Sequence, residues 1–240
     1  MKDVKDTLLT KEADARAQST IHPHFYYRFV FDRTKNITKA RQARRHVILA
    51  ARYILLLDRF YETGKKQFRE SANEAEKQLL KNLSPAHQRK FKNRYKNISS
   101  FWAYESSLLD KARFSKRERR TYLRKKSSDV FLYTLVAEFV EPFSVDIVRI
   151  FHAAQQLNDM HDDLIDTEED RKNNSPNIVF LFSWKYESPK DLGAHEREEI
   201  LGIATDLLHH TEKHSHDLPY IFLRAKRHYQ SIQGILKELS

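Results

Sequence analysis

Gln155-Gln156-Leu157-Asn158-Asp159-Met160-His161-Asp162-Asp163-Leu164-Ile165-Asp166-Thr167-Glu168-Glu169-Asp170-Arg171-Lys172 is the segment on which the reading of this chain turns. At 100° per residue, Gln156, Asp159, Asp163, Asp166 and Asp170 continue from His152 as one helical stripe about 80° wide. Ile150, Ala154, Leu157 and Leu164 take the opposite, core-facing side. Like charges at i,i+4 cost a helix roughly 0.2–0.5 kcal/mol per pair, and acids near its C-terminus oppose the macrodipole. Folding alone gains nothing from such a stripe. A solvated acidic face is the plain alternative, yet the chain as a whole is basic. It carries 43 Lys and Arg against 33 Asp and Glu, a formal charge of +10. The acids are therefore concentrated against the composition. Carboxylates at i, i+4 and i+7 suit a hard, oxygen-loving cation such as Mg²⁺.

The rest of the chain reads as helix. It has 4 Gly and 6 Pro in 240 residues, and Gly is far below its usual ~7%. Phosphate loops, βα turns and hairpins need residues that tolerate φ > 0, so Rossmann, P-loop and β-barrel folds are excluded. Helices are expected over about Thr38–Gln67 (tolerating Gly64 near its end), from Ser84-Pro85 through Leu108, and from Ser115 to Val140. Three more are expected over Val145–Asp170, Glu196–Lys213 and Pro219–Leu239. No repeat or linker divides them, so the expectation is one all-α helical domain over 1–240, with 1–22 as a peripheral segment. There is no Cys, no apolar leader, and no run of 18 uncharged apolar residues, which fits a protein of the cytoplasm. The positive charge favours anionic ligands: nucleic acid, an acidic membrane surface or a polyphosphate.

A helical metal site usually needs a second bank of ligands. Asp58 and Glu62, at i,i+4 in the first long helix, sit above a column of Ile54, Ala51 and Val47. That pattern describes a pocket with a polar mouth and an apolar shaft. A surface pairing with Arg59, Lys65 or Lys66 is the plain alternative. Each bank lies about 20 residues into its helix, so both are expected to face one central cavity.

These residues resemble the class I isoprenoid synthase superfamily, which holds prenyl diphosphate synthases, squalene and phytoene synthases, and terpene cyclases. Gln156, Asp159, Asp163 and Asp166 keep the offsets 0, 3, 7 and 10 of the second squalene/phytoene synthase motif, with Asp replacing its Asn and Glu. Asp162-Asp163-Leu164-Ile165-Asp166 also reads as a DDxxD motif, and Asp58 to Glu62 resembles DxxxD with Glu in the last place. The chain is short for the family, and the tyrosine- and glycine-containing phytoene synthase signatures are not recognisable.

The resemblance implies a helical bundle around a cavity. It implies three Mg²⁺ ions held by Asp58, Glu62, Asp159, Asp162, Asp163, Asp166 and Asp170. An allylic prenyl diphosphate would be ionised there for prenyl transfer, condensation or cyclisation. Asp159 and Asp163 would be central to catalysis. Gln156, Arg171, Lys172, Arg124, Lys126, Arg227 and Tyr229 would grip the diphosphate. A homodimer and transient contact with a membrane surface go with the same reading; no nucleic acid partner is expected. On this view Asp163→Asn lowers turnover by orders of magnitude and leaves metal-free stability unchanged or slightly higher.

Three other readings compete. His161-Asp162 matches the dipeptide of HD phosphohydrolases, with His209, His210, His214 and His216 as partners, but His161 falls opposite the stripe. Lys116-Arg117-Glu118-Arg119-Arg120 permits a helical nucleic-acid binder, although the acidic stripe would repel phosphate. A superfamily member that binds a lipid or partner without turnover is the third.

Overall fold

A computed structural model describes residues 15, 21–108, 114–213, 216 and 218–238; the side chains at 21, 62, 97, 98, 102 and 106 lie outside the description. Its regular structure is all helical, with no strand among the described residues. In chain order the helices are α1 (Ile21–Thr34), α2 (Ile37–Thr63), α3 (Lys66–Lys81), α4 (Pro85–Leu108) and α5 (Lys116–Lys126). They continue as α6 (Asp129–Glu138), α7 (Val145–Ile165), α8 (Thr167–Lys172), α9 (Ala194–Glu212) and α10 (Pro219–Glu238), with a 3₁₀ turn at Pro189–Asp191. No described helix is long and apolar enough to cross a membrane.

The chain forms two compact units, residues 1–97 with 131–144 and residues 98–130 with 145–240. In the first unit, α2 packs against α1 and α3. Its buried positions, Ala40, Ala43, Val47, Ala50, Ala51, Ile54 and Leu57, recur at three- and four-residue spacing. The small residues among them let neighbouring backbones approach closely. Tyr26 Oη and Thr134 Oγ1 meet at 2.7 Å in this core, and His46 Nδ1 lies 3.2 Å from the Val136 carbonyl. In the second unit α7 is the hub, with α5, α9 and α10 packed on it. Leu157, Met160 and Leu164 of α7 are buried there with Ile200 and Ile232.

Several expected boundaries hold. Pro85 opens α4, with the Gln88 N–H on the Ser84 carbonyl at 2.9 Å. Ser115 caps α5 through a reciprocal box with Glu118.

Three boundaries differ from the sequence reading, each for a local reason. Gly64 ends α2 rather than lying inside it. It adopts φ 66°, its N–H bonds the Phe60 carbonyl, and α3 follows as a separate helix. Gly64→Ala is expected to cost about 1 kcal/mol from backbone strain alone, since a Cβ there meets nothing within 4 Å. Urea denaturation would measure it. The expected helix from Ser115 to Val140 breaks at Ser127-Ser128, where the Ser128 N–H closes a tight turn onto the Lys125 carbonyl at 3.0 Å. The expected helix from Val145 to Asp170 breaks at Asp166. There the Asp163 carbonyl is claimed by Thr167 Oγ1 at 2.7 Å and Asn177 Nδ2 at 2.6 Å.

Candidate functional site

The acidic stripe of α7 does not face solvent as a whole. Asp159 and Asp163 are buried, Asp170 is half-buried, and Asp162 and Asp166 are exposed. The break between α5 and α6 explains what receives the buried pair. It leaves Lys126 as the last residue of α5 and Ser127 just beyond, both turned toward α7. Lys126 Nζ forms an ion pair with Asp163 Oδ1 and also donates to Tyr122 Oη at 3.3 Å. Asp163 Oδ2 accepts the Ile178 N–H at 3.0 Å. Asp159 is held on both sides, by Ser127 Oγ at 2.5 Å and Gln155 Nε2 at 2.6 Å.

The loop after α8 completes the arrangement. Asn174 adopts φ 53°, which turns the chain so that residues 176–181 are buried against this unit. Asn177 Nδ2 bridges the Asp163 carbonyl and Asp170 Oδ2, the latter at 2.7 Å. Tyr122 Oη donates to the Pro176 carbonyl at 2.8 Å.

Charge in this cluster is lopsided, with several carboxylates around one ammonium. Burial pushes Asp159 up to about 7, reinforced by Asp129 and opposed by Lys126 and Ser127. Asp170 is raised to about 6, again chiefly by burial, with the Asn177 hydrogen bond and Lys126 pulling the other way. Burial would lower Lys126, but Asp163, Tyr122 and Asp159 hold its proton well above the ordinary lysine range.

A pH dependence follows. Between about pH 4 and pH 7 the folded chain keeps a proton on Asp159 that the unfolded chain, near the ordinary 3.8, has released. The Asp159 contribution to stability therefore falls as pH rises through that window and is constant above it. His46, His152 and His228 are lowered by burial and act oppositely, so the difference between variants is the readable quantity. Asp159→Asn should gain stability relative to the parent from pH 4 to 7 and then level off. Urea midpoints at pH 4.5, 5.5, 6.5 and 7.5 would test this; a difference independent of pH would refute it.

Other expected site residues are dispersed. Asp162 is turned the other way from Asp163: Asn158 Nδ2 donates to it at 2.7 Å, and Arg224 of α10 donates to Asn158 Oδ1 at 2.9 Å. The two leading acids of the DDxxD reading therefore diverge. Lys126, expected to grip diphosphate, is engaged by Asp163. Arg171 is exposed and lies over the Phe180 ring at 5.4 Å; Lys172 and Arg227 are exposed. Tyr229 Oη accepts from Gln233 Nε2 at 2.9 Å. Gln156 and Arg124 line a separate groove. His161 Nε2 lies 2.8 Å from Ser231 Oγ on α10, while His209 and His216 are exposed and His214 lies outside the described residues. Asp58 is half-buried in the first unit over the buried column Val47, Ala51 and Ile54, and the Glu62 side chain is outside the description. The two acidic banks thus belong to different units.

Sequence reading missed Ser127 and Asn177 entirely, and the partnership of Lys126 with Asp163. The run Ser175-Pro176-Asn177-Ile178, an apolar stretch opening on turn residues, was the available signal.

Comparison with protein-family models, with curated proteins and with solved structures gives no match to this chain.

Whether a divalent cation suits the cluster is decided by its donors. They are carboxylate oxygens with excess negative charge, the kind of set a hard cation takes. Asp159 Oδ1 and Oδ2 each accept one donor and retain a second lone pair. Asp163 is already compensated by Lys126. The acids left to meet a cation are therefore Asp159, Asp166 and Asp170. Among the described residues, no three His, Cys, Asp or Glu side chains converge as a ready-made ligand set.

Proposed function

We propose that the chain is a Mg²⁺-dependent enzyme of the isoprenoid synthase kind that ionises an allylic prenyl diphosphate. One observation carries the reading: α7 and α8 place Asp159, Asp163 and Asp170 around the single ammonium of Lys126. Carboxylates that outnumber the one ammonium beside them favour a divalent cation and the diphosphate it brings. Bound Mg²⁺ would supply the charge that makes diphosphate a leaving group. Asp159 would be the ligand this cluster supplies, with diphosphate oxygens and water completing the shell. The Lys126–Asp163 pair braces α7 against α5, so the acids keep their positions.

Mg²⁺ with pyrophosphate should stabilise the protein by mass action, by about 2.7 kcal/mol at a hundred times the dissociation constant. The direct test is release of pyrophosphate from geranyl, farnesyl and geranylgeranyl diphosphates with Mg²⁺. Melting curves indifferent to millimolar Mg²⁺ plus pyrophosphate, together with no turnover, would overturn the proposal.

One observation favours a second reading, a member that keeps the architecture without turnover. Each oxygen of Asp159 and Asp163 already has a protein donor, as expected of acids that brace a fold.

A further inference from the structure

A groove of about 640 Å³ opens in the second unit between α5, α7 and α9. Four cations of α5 line it: Lys116, Arg117, Arg120 and Arg124. At 100° per residue they span an arc about 100° wide on the side of α5 away from Tyr122 and Lys126. The acids of α7 do not line it. Among the lining residues the one acid is Asp206, and it holds Arg120 at 3.0 Å. The lining therefore carries an excess of three positive charges.

Among the described residues, apart from the exposed Arg120–Asp206 pair, no ion pair of the fold uses these cations. Lys116 with Arg120, and Arg120 with Arg124, are like-charge i,i+4 pairs that each weaken the helix. What anchors α5 lies elsewhere, in the Ser115–Glu118 box and in Arg119, which makes a two-pronged pair with buried Glu199 at 2.9 and 2.8 Å. Leu123 and Ile203 give the groove a buried apolar floor. Its volume is that of a small-molecule site. Guanidinium forks suit phosphate oxygens, which they bind in pairs.

We infer that this groove binds a compact phosphorylated small molecule of diphosphate charge directly through Arg117, Arg124 and their neighbours, without metal. The inference does not rest on the proposed enzymatic function, because it needs neither Mg²⁺ nor the α7 acids.

Calorimetric titration with sodium pyrophosphate in EDTA at low salt tests it on the full chain. The parent should bind. Arg117→Glu with Arg124→Glu should weaken binding by about tenfold or more, and Arg124→Gln alone should weaken it less, in the same direction. Lys226→Glu, an exposed charge on α10, should stay within about twofold of the parent. Circular dichroism melts would confirm that the variants are folded. Should the double variant fail to fold, Arg124→Gln against Lys226→Glu decides. Absence of binding in the parent, or equal losses in Lys226→Glu and the groove variants, would overturn the inference. So would binding to phosphatidylglycerol vesicles but not to pyrophosphate, which would make the face a membrane contact.

Discussion

Asp163→Asn should destabilise the metal-free protein by about 3 kcal/mol, against the small gain expected when the stripe is read as repelling charges alone. The reason is local. Asp163 presents one oxygen to Lys126 Nζ and the other to the Ile178 N–H. Asparagine has one acceptor and one donor at those places, so its NH₂ must face either an ammonium or a backbone N–H. Removing one partner of a buried pair typically costs 3–5 kcal/mol. The lower end applies because the Lys126 side chain keeps 27 % of its surface and has Asp159 nearby. Lys126→Gln added to Asp163→Asn should recover part of the loss, since the glutamine carbonyl can accept from the new amide. A coupling of about 1–3 kcal/mol in that double-mutant cycle is expected. A single-variant loss below about 0.5 kcal/mol in urea denaturation would show that the pair does not brace the fold.

Asp159→Asn is the cleaner probe of catalysis, and its expected effect is on turnover. With its pKa near 7, Asp159 is already partly protonated at neutral pH, so the fold tolerates a neutral group there. Ser127 and Gln155 can both still be paired after rotation of the hydroxyl and of the two amides. A cation ligand has no such tolerance. Under the proposed activity, pyrophosphate release should fall at least about 100-fold, some 2.7 kcal/mol of transition-state stabilisation, with no loss of metal-free stability at neutral pH. Asp162→Asn should be milder, because that side chain is turned to Asn158 and the α10 side. Full specific activity in folded Asp159→Asn would reject Asp159 as a ligand.

Most helix starts were legible in this sequence because punctuation and periodicity agreed, whereas α1 (Ile21–Thr34), expected only as an aromatic stretch, and α3 (Lys66–Lys81) were not read as helices. Ser84-Pro85, Ser115 with Glu118, and Pro219 each mark a start that the structure uses. Breaks inside long apolar-periodic stretches were not legible, because a Ser pair or a Thr hydroxyl competes for a carbonyl only once a tertiary partner is placed. The same limit applies at the site. The face shared by Asp159 and Asp163 is fixed by helical geometry, whereas their pairing with Lys126 and Ser127 spans 37 and 32 residues. Local spacing carries no information on that. Nor does it show that Asn177, from an irregular buried segment, would join Asp163 to Asp170.

The chain's path through its two units sets an order of manufacture. The first unit draws on residues 131–144, which follow thirty-three residues of the second. Until Thr134 and Val136 have left the ribosome, Tyr26 and His46 lack the partners that the finished core gives them. By then the strand of synthesis has already delivered α5, whose own hub, α7, is still unmade. Neither unit can be completed before the other is begun. Nascent chains of this protein therefore carry two unfinished cores at once, a window in which exposed apolar helices invite chaperones.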